Sequence, residues 1–315
     1  MAAAVHQIRP ALTQPRSRVF DAARWIGYRP RPDDIIIGTY SKCGTTWTQH
    51  IVGMLVFGSS EPRSVFASSP WPDFRFALPE GAVWPIAEAQ THRRFFKTHL
   101  PLDALPLYED VKYVHVARDG RDAAMSLHNH LANFSAAALA RADEISLGDP
   151  KYRDPFPRAD ANPRDFFRRW VADDAGEDKA VTFFPVEQSY WAERERANVL
   201  LVHYNDLKQD RGAEMRRIAA FLEIEISEAL WPSLIEAASF EAMKRNGDQL
   251  LDFAAALFEG GADRFLHKGT NGRWQDVVAP SDLAIYEARV KAELPPALAR
   301  WLEHGRLVAG DPRTS

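Results

Sequence analysis

A short, uninterrupted apolar run, Ile35-Ile36-Ile37, constrains the fold of this chain more than any other stretch. A strand that is buried on both faces has this pattern, because neither of its sides meets water. Gly38 and a polar loop follow the run, and the next segment, Thr45–Phe57, repeats its apolar residues at helical spacing. The sequence therefore predicts a buried strand, a tight loop and a helix, in that order.

The same order recurs along the chain. The further strand candidates are Phe95-Phe96, Tyr113–Ala117 and Val199–Val202, and helical segments follow the last two at Asp122–Leu131 and Ala213–Phe221. Strands that alternate with helices are typical of an α/β fold, in which a central parallel sheet carries helices on both faces. Ligands of such sheets bind outside the carboxyl ends of the strands, so we expect the loops that leave these strands to converge.

The 315 residues divide into an N-terminal extension, residues 1–30, and a single domain, residues 31–310. Residues 1–18 contain several arginines but no acid and no apolar core of a signal sequence, so they do not form a secretory signal. A transit peptide and a frayed terminus both remain open for this stretch.

The composition excludes several classes of partner. The formal net charge is −4, whereas nucleic acids and anionic membranes require a clustered positive field. The one cysteine, Cys43, allows neither an internal disulfide nor a cysteine-rich metal site, and the histidines show no metal-binding spacing. No run reaches the ~18 apolar residues of a membrane span. We expect a cytoplasmic protein without a metal, a nucleic-acid partner or a membrane span.

The loop between the first strand and its helix reads Gly38-Thr-Tyr-Ser-Lys-Cys-Gly-Thr-Thr-Trp47. Backbone N–H groups at a helix N-terminus, beside a glycine that lets the chain approach closely, form a cradle for an anion. A Walker A loop has its lysine directly after the second glycine, but Lys42 precedes Gly44 by two positions. A nucleotide kinase of related topology is therefore disfavoured, and a glycine turn with a surface lysine is the simpler alternative.

Several segments together resemble the cytosolic sulfotransferases that use 3′-phosphoadenosine 5′-phosphosulfate (PAPS). The loop of that family reads Tyr-Pro-Lys-Ser-Gly-Thr-Thr-Trp, and one of its strands ends in Lys-Thr-His-Leu-Pro. The matching segments follow the order of the family and are Arg31–Trp47, Lys97–Pro101, Tyr113–Ser126, His203–Leu207 and Ser239–Lys244. Several motifs in the correct order are more specific than any one of them.

The resemblance implies transfer of a sulfuryl group from PAPS to a hydroxyl or amine, with release of adenosine 3′,5′-bisphosphate (PAP). His99 would be the general base, since imidazole has an ordinary pKa near 6.5 and a base of this kind accelerates a reaction roughly 10²–10⁴-fold. Lys97 and Lys42 would stabilise the charge on the bridging oxygen and the leaving phosphate. Transfer would be in line and would need no metal.

The resemblance also implies a donor site, whose first strand would lead into a P-loop-like 5′-phosphosulfate-binding loop. The residues assigned to the 5′-phosphosulfate are Lys42, Cys43, Gly44, Thr45 and Thr46. Those assigned to the 3′-phosphate are Arg118 and Ser126. Those assigned to the adenine are Trp47, Tyr204, Ser239 and Phe240. A closing loop over the donor would contribute His267, Lys268 and Gly269.

The closing loop departs from the family. The family reads Arg-Lys-Gly-x-x-Gly-Asp-Trp-Lys, and this chain reads His267-Lys-Gly-Thr-Asn-Gly-Arg-Trp-Gln275. The first arginine has become His267 and the last lysine has become Gln275. We expect a weakened 3′-phosphate clamp, and an affinity that rises below about pH 6.5, where imidazole becomes charged.

Cys43 is a second departure, because the family has serine there. A thiol at an electropositive helix start has a lowered pKa and is alkylated readily, whereas an inert small side chain is the alternative.

The acceptor is a small molecule, but the sequence does not identify it among phenols, alcohols, amines and glycolipids. The aromatic residues that favour an apolar acceptor are Phe57, Phe66, Trp71, Phe74, Phe76, Trp84, Phe134, Phe183 and Phe184. The same side chains are equally expected in an ordinary core. Arg94–Thr98 and Trp274-Gln275 are similar to bacterial members thought to act on glycolipids. A sensor that binds PAP without turnover, and a homodimer, remain open.

Overall fold

The structure is a computed structural model that describes residues 5–76, 78–172 and 179–314. Its strands are β1 Gln7–Arg9, β2 Ile35–Gly38, β3 Phe95–Thr98, β4 Leu107–Tyr108, β5 Lys112–Ala117 and β6 Val199–His203. Its α-helices are α1 Thr45–Phe57, α2 Val65–Ser68, α3 Val83–Ala89, α4 Gly120–Leu131, α5 Ala136–Leu147, α6 Pro163–Val171, α7 Phe183–Ala192, α8 Tyr204–Gln209, α9 Arg211–Phe221, α10 Trp231–Ala237, α11 Phe240–Arg245, α12 Gly247–Leu250, α13 Ala254–Leu257, α14 Gly261–Phe265, α15 Pro280–Glu293, α16 Pro296–His304 and α17 Arg306–Ala309. Short 3-10 helices lie at Ala22–Gly27, Leu102–Ala104, Lys179–Val181, Arg273–Asp276 and Pro312–Thr314.

The central sheet has the strand order β3-β2-β5-β6, and every pairing in it is parallel. Ile36 of β2 pairs with Phe96 on one side and with Tyr113 on the other. The strand is therefore interior and buried on both faces, which explains its unbroken apolar run. The predicted α/β fold with a parallel sheet is confirmed.

Successive side chains of β2 enter different cores, because residues alternate across a sheet. Ile36 packs in the same cluster as helices α6, α7 and α16, whereas Ile35 and Ile37 pack in a second cluster with α1, α9 and α10. Helices thus cover both faces of the sheet, as predicted.

Helix α1 has the bounds that the periodicity predicts. It starts after Gly44, whose φ is 113°, and ends at Gly58, whose φ is 57° and whose N–H donates to the carbonyls of Met54 and Leu55. Glycine tolerates both left-handed conformations, so the two residues define the ends of the helix. The first of them also sets the direction of the loop that precedes the helix.

Residues 5–30 lie against the domain. Strand β1 pairs with β4, and Trp25 and Tyr28 are buried among Trp84 and Phe96. The segment therefore contributes to the core, while the division of the chain after residue 30 stays a prediction. Within the described ranges, no helix has both the length and the apolar character needed to cross a membrane.

A buried ion pair joins the amino-terminal ends of β2 and β3. Arg94 donates from Nη2 to Asp34 Oδ2 at 2.5 Å and from Nε to Oδ1 at 2.8 Å, and each side chain is 1% exposed. The hydroxyl of Tyr28 donates to the same carboxylate at 2.8 Å. Arg94 also contacts Glu88, which is half-exposed, at 3.0 Å.

We predict that Asp34→Ala lowers the free energy of unfolding by about 3–5 kcal/mol, because it leaves the buried guanidinium of Arg94 without its main counter-charge. Glu88→Ala is the matched control and should cost less than about 1 kcal/mol, since solvent screens that pair. Urea unfolding followed by far-UV circular dichroism measures both. Equal losses would show that the buried pair has no special role.

Candidate active site

A cavity of about 1030 Å³ opens at the carboxyl edge of the sheet. The residues that follow its four strands line it, among them Lys42, His99, Arg118 and Tyr204. The predicted convergence of these loops is confirmed. The volume lies at the upper end of small-molecule sites, so a nucleotide and a second molecule fit together.

The loop before α1 is shaped to expose backbone N–H groups. Lys42 and Gly44 have φ values of 69° and 113°, and a Cβ at position 44 would lie 3.1 Å from the ring of Tyr204. Thr45 and Thr46 line the cavity, and N–H groups in the first turn of a helix have no partner within that helix. This geometry fits the anion cradle that the sequence predicts, and the binding of an anion there stays a prediction.

Lys42 and Lys97 bring two amino groups into the cavity. Neither amino group forms a salt bridge with an acid in the described part of the chain. Burial lowers the pKa of Lys42 to about 8, with a further contribution from Arg118. Burial and the nearby Lys42 lower the pKa of Lys97 to about 7. Lys42 Nζ lies 3.4 Å from His130 Nδ1, and Lys97 Nζ lies 3.4 Å from the centroid of the Trp71 ring. Both groups are arranged to receive an anion.

The imidazole of His99 is held by the end of β2. Its Nδ1 lies 2.8 Å from the carbonyl oxygen of Thr39, a contact that requires the proton on Nδ1 and leaves Nε2 as the unprotonated nitrogen. Burial and the charge of Lys97 lower the pKa of His99 well below its ordinary value. His99 lines the cavity, so a neutral imidazole faces the space in which an acceptor would lie.

Asp73, which the sequence reasoning missed, connects the cavity residue Trp71 to the backbone of His99, which directly follows β3. Its carboxylate accepts from the indole N–H groups of Trp25 and Trp71, each at 3.0 Å, and from the backbone N–H of His99 at 3.3 Å. Burial raises its pKa. The residue lies in a proline-rich segment without periodicity, and nothing in the sequence signals its role.

Arg118 lines the same cavity. It donates from Nη2 to Asn271 Oδ1 at 2.7 Å and to the carbonyl of Thr270 at 3.2 Å, and it lies 4.2 Å from the centroid of the Tyr204 ring. Its Nε is buried and has no hydrogen-bond partner in the described part of the chain. A buried N–H without a partner is costly, so this donor fits an anion such as a phosphate.

Aromatic rings lie near Arg118. Trp47 packs edge-on against Tyr204 with ring centroids 5.4 Å apart and donates from Nε1 to the carbonyl of Ala238. Phe240 lines the cavity, and Gly269 faces it with a φ of 61°, where a Cβ would lie 2.8 Å from the ring. Only glycine allows the closing loop to approach this ring so closely. Ser126 and Lys268 line the cavity as well.

The side chains of two predicted site residues do not line the cavity. Cys43 is fully buried, and burial together with Glu187 raises the pKa of its thiol, so the prediction of a lowered pKa is wrong and the inert alternative holds. Ser239 begins helix α11, and its hydroxyl accepts from the N–H of Ala242 at 3.0 Å. The sequence reasoning could not separate capping from ligand contact at this serine.

The aromatic residues divide between the cavity and the core. Those that line the cavity form its aromatic wall and are Phe66, Trp71, Phe74, Phe76 and Phe134, together with Phe20 of the N-terminal segment. Those that do not line it are Phe57, Trp84, Phe183 and Phe184, the last three of which pack in the core. Each of the two interpretations therefore applies to part of the set. No group of three or more metal-ligating side chains is present among the described residues.

Comparison with known proteins identifies the family. The model of the sulfotransferase domain matches residues 32–295. The chain belongs to the sulfotransferase family. A glycolipid sulfotransferase of Mycobacterium bovis is 31% identical to this sulfotransferase over 308 residues, which cover 92% of this chain and 94% of the relative. Sulfotransferase 1B1 of Canis lupus familiaris is 26% identical, with 85% of both chains covered.

A solved structure has the same architecture. The crystal structure of retinol dehydratase in a complex with retinol and PAP is 25% identical and has a TM-score of 0.66, covering 87% of this chain and 85% of that chain. The resemblance inferred from the motifs is confirmed, and the nucleotide-kinase interpretation is set aside for this sulfotransferase.

We predict that the protein takes up protons when it binds PAP at about pH 8. Lys97, with a pKa of about 7, is mostly neutral there in the free protein, and an adjacent phosphate raises the pKa so that the amine becomes charged. The affinity for PAP should therefore fall as the pH rises above about 7. Calorimetry in buffers of different ionisation enthalpy measures the uptake.

Lys97→Met is the control for this prediction, because it removes one of the two amino groups and should reduce the uptake. Binding enthalpies that do not depend on the buffer would contradict it.

Proposed function

We propose that this sulfotransferase transfers a sulfuryl group from PAPS to a hydroxyl or amine of a small, apolar acceptor in the cytoplasm and releases PAP. The observation that carries the proposal is a neutral, buried His99 beside two lysines. It lies in a cavity lined by the loop before α1, whose geometry suits a phosphate, and by the aromatic wall. The single cysteine permits the reducing compartment.

The donor would lie along the loop before α1. Lys42 and the N–H groups of Gly44, Thr45 and Thr46 would bind the 5′-phosphosulfate. Arg118 would bind the 3′-phosphate with Ser126, and its buried Nε without a partner supports this role. Trp47, Tyr204 and Phe240 would enclose the adenine. The presence of PAP in a solved relative supports the same donor here.

His99 would act as the general base through Nε2. Its Nδ1–H bond to Thr39 fixes the ring and leaves Nε2 free to accept the proton that the acceptor hydroxyl loses as the new S–O bond forms. The lowered pKa keeps the ring neutral at pH 7, so the base needs no prior deprotonation. Asp73 would help to position the base, because its carboxylate accepts a hydrogen bond from the backbone N–H of His99.

Lys97 and Lys42 would stabilise the negative charge that collects on the bridging oxygen and the leaving phosphate. Their pKa values of about 7 and about 8 describe the free protein, and an adjacent anion raises both, so the lysines are charged when the donor is bound. Catalysis would then rest on in-line positioning and on fixed charges, without a metal.

The acceptor would bind against the aromatic wall, with its reactive hydroxyl at His99. Phe20 and Trp71 contact the imidazole edge-on, with centroids 5.4 and 4.9 Å from it. An apolar body such as a phenol, a sterol, an aliphatic alcohol or a lipid fits this wall. The mycobacterial relative is named a glycolipid sulfotransferase, which supports testing glycolipids among the first acceptors.

We expect the protein to transfer radiolabelled sulfate from PAPS to at least one member of a panel of phenols, alcohols, amines and glycolipids. Protein that binds PAP tightly but transfers nothing across a broad panel would favour the sensor interpretation.

We expect His99→Ala to lower turnover at least ~100-fold and to leave the affinity for PAP nearly unchanged, because the imidazole would act on the acceptor and not on the donor. His304→Ala, which removes a half-exposed imidazole outside the cavity, is the matched control. Unchanged turnover in His99→Ala would remove this residue from the mechanism.

A further inference from the structure

The charges of the closing loop are exchanged relative to the family pattern. The family has arginine where this chain has His267, and aspartate where this chain has Arg273. A third change replaces the last lysine of the pattern with Gln275, so the loop loses two cations, whereas Arg273 turns a negative position into a positive one. With His267 neutral, the formal net charge of these positions is therefore unchanged, and the positive charge has changed position.

Arg273 is held at the cavity by its neighbours. It begins a 3-10 helix, Arg273–Asp276, directly after Gly272, and the N–H of Gly272 donates to Asp122 Oδ1 at 2.7 Å. This bond fixes the loop to helix α4, which carries Ser126. The side chain of Arg273 lines the same cavity as Arg118.

His267 contacts Arg273 directly. Arg273 Nη1 lies 3.1 Å from His267 Nδ1, and a guanidinium only donates, so the imidazole accepts with an unprotonated Nδ1. Burial and the adjacent Arg273 lower the pKa of His267, which is consistent with a neutral ring. The remaining groups that act on this ring are also cationic, namely Lys268, Arg264 and Lys244. A direct bond from a charged His267 to a phosphate is therefore disfavoured.

The guanidinium groups of Arg273 and Arg118 repel each other. After burial, Arg118 is the largest influence that lowers the pKa of Arg273, and Asp122 and Tyr204 act in the opposite direction. Arg118 also has the buried Nε without a described partner. Two neighbouring cations and a free donor form a site that a dianion stabilises by removing the repulsion.

We propose that Arg273 and Arg118 together bind the 3′-phosphate of the donor, and that His267 is a positioning residue that orients Arg273. The inference rests on the proposed donor site and specifies how that site selects its nucleotide. The 3′-phosphate clamp, which the sequence led us to expect to be weak, thus keeps a similar positive charge. Arg273 supplies this charge from another position of the same loop.

The test compares the binding of PAP with that of adenosine 5′-monophosphate, which lacks the 3′-phosphate, by calorimetry. Arg273→Ala should weaken PAP binding roughly 10- to 100-fold, as expected for the loss of hydrogen bonds to a charged group, and should change the affinity for the monophosphate much less. Arg273→Lys should keep part of the preference, since it keeps the charge and loses the fork. Arg245→Ala is the matched control, because it removes an exposed arginine outside the cavity.

The role of His267 is tested in a double-mutant cycle. His267→Ala should weaken PAP binding less than Arg273→Ala does, and should add nothing when Arg273 is already alanine. His267→Arg, which restores the family residue, should recover PAP binding in the Arg273→Ala background. Additive losses would overturn the positioning role.

The outcomes separate this inference from the proposal on which it rests. A wild-type protein that binds PAP and the monophosphate equally would contradict the proposed donor site. A wild-type protein that prefers PAP, with the full preference retained in Arg273→Ala, would overturn the inference alone. Equal losses for both nucleotides would also overturn it, and thermal unfolding of each variant detects a general loss of structure.

Discussion

Positive charge that is buried or half-buried without an ion-paired acid in the described ranges is the constraint on which the site depends. Lys42, Lys97, Arg118 and Arg273 all line one cavity, and burial lowers the pKa of three of them. Such a group of cations is unfavourable in an empty protein and favourable around a polyanion. In the proposed donor site, the free energy that it costs during folding is recovered when the nucleotide binds, so the stability of the site and its affinity are linked.

The parallel sheet makes this arrangement possible. Lys42 and Arg118 lie in the loops after the buried strands β2 and β5, and Lys97 lies in β3, so their backbones cannot move away from their like-charged neighbours. Arg273 is held instead by the bond between the N–H of Gly272 and Asp122. The pair between Asp34 and Arg94 fixes β2 and β3 at their other ends, far from the cavity. The ion pair at one edge of the sheet thus stabilises the strands that hold the unpaired cations at the opposite edge.

Local sequence predicts the parts of the molecule that local physics determines. The Ile35–Ile37 run identifies an interior strand, the glycines at both ends define α1, and parallel pairing alone requires the loops to meet. The carboxylate of Asp73 joins residues that are distant in sequence, so no local pattern signals its role. The contact between His267 and Arg273 lies within one loop, but that loop has no periodic pattern that would indicate which side chains meet. The sequence could not separate wall from core among the aromatic residues, because the burial of each ring depends on distant segments that pack against it.

The bonds of Asp73 couple parts of the protein that are usually treated separately. One carboxylate accepts hydrogen bonds from a tryptophan of the N-terminal segment, from a tryptophan of the aromatic wall and from the backbone N–H of His99. A substitution that reshapes the wall at Trp71 therefore also changes what orients His99. Under the proposed mechanism, acceptor range and catalytic rate are therefore coupled at Trp71. Substitutions that adapt the wall to a new acceptor would disturb the imidazole less at Phe74 and Phe76, which have no hydrogen bond to this carboxylate.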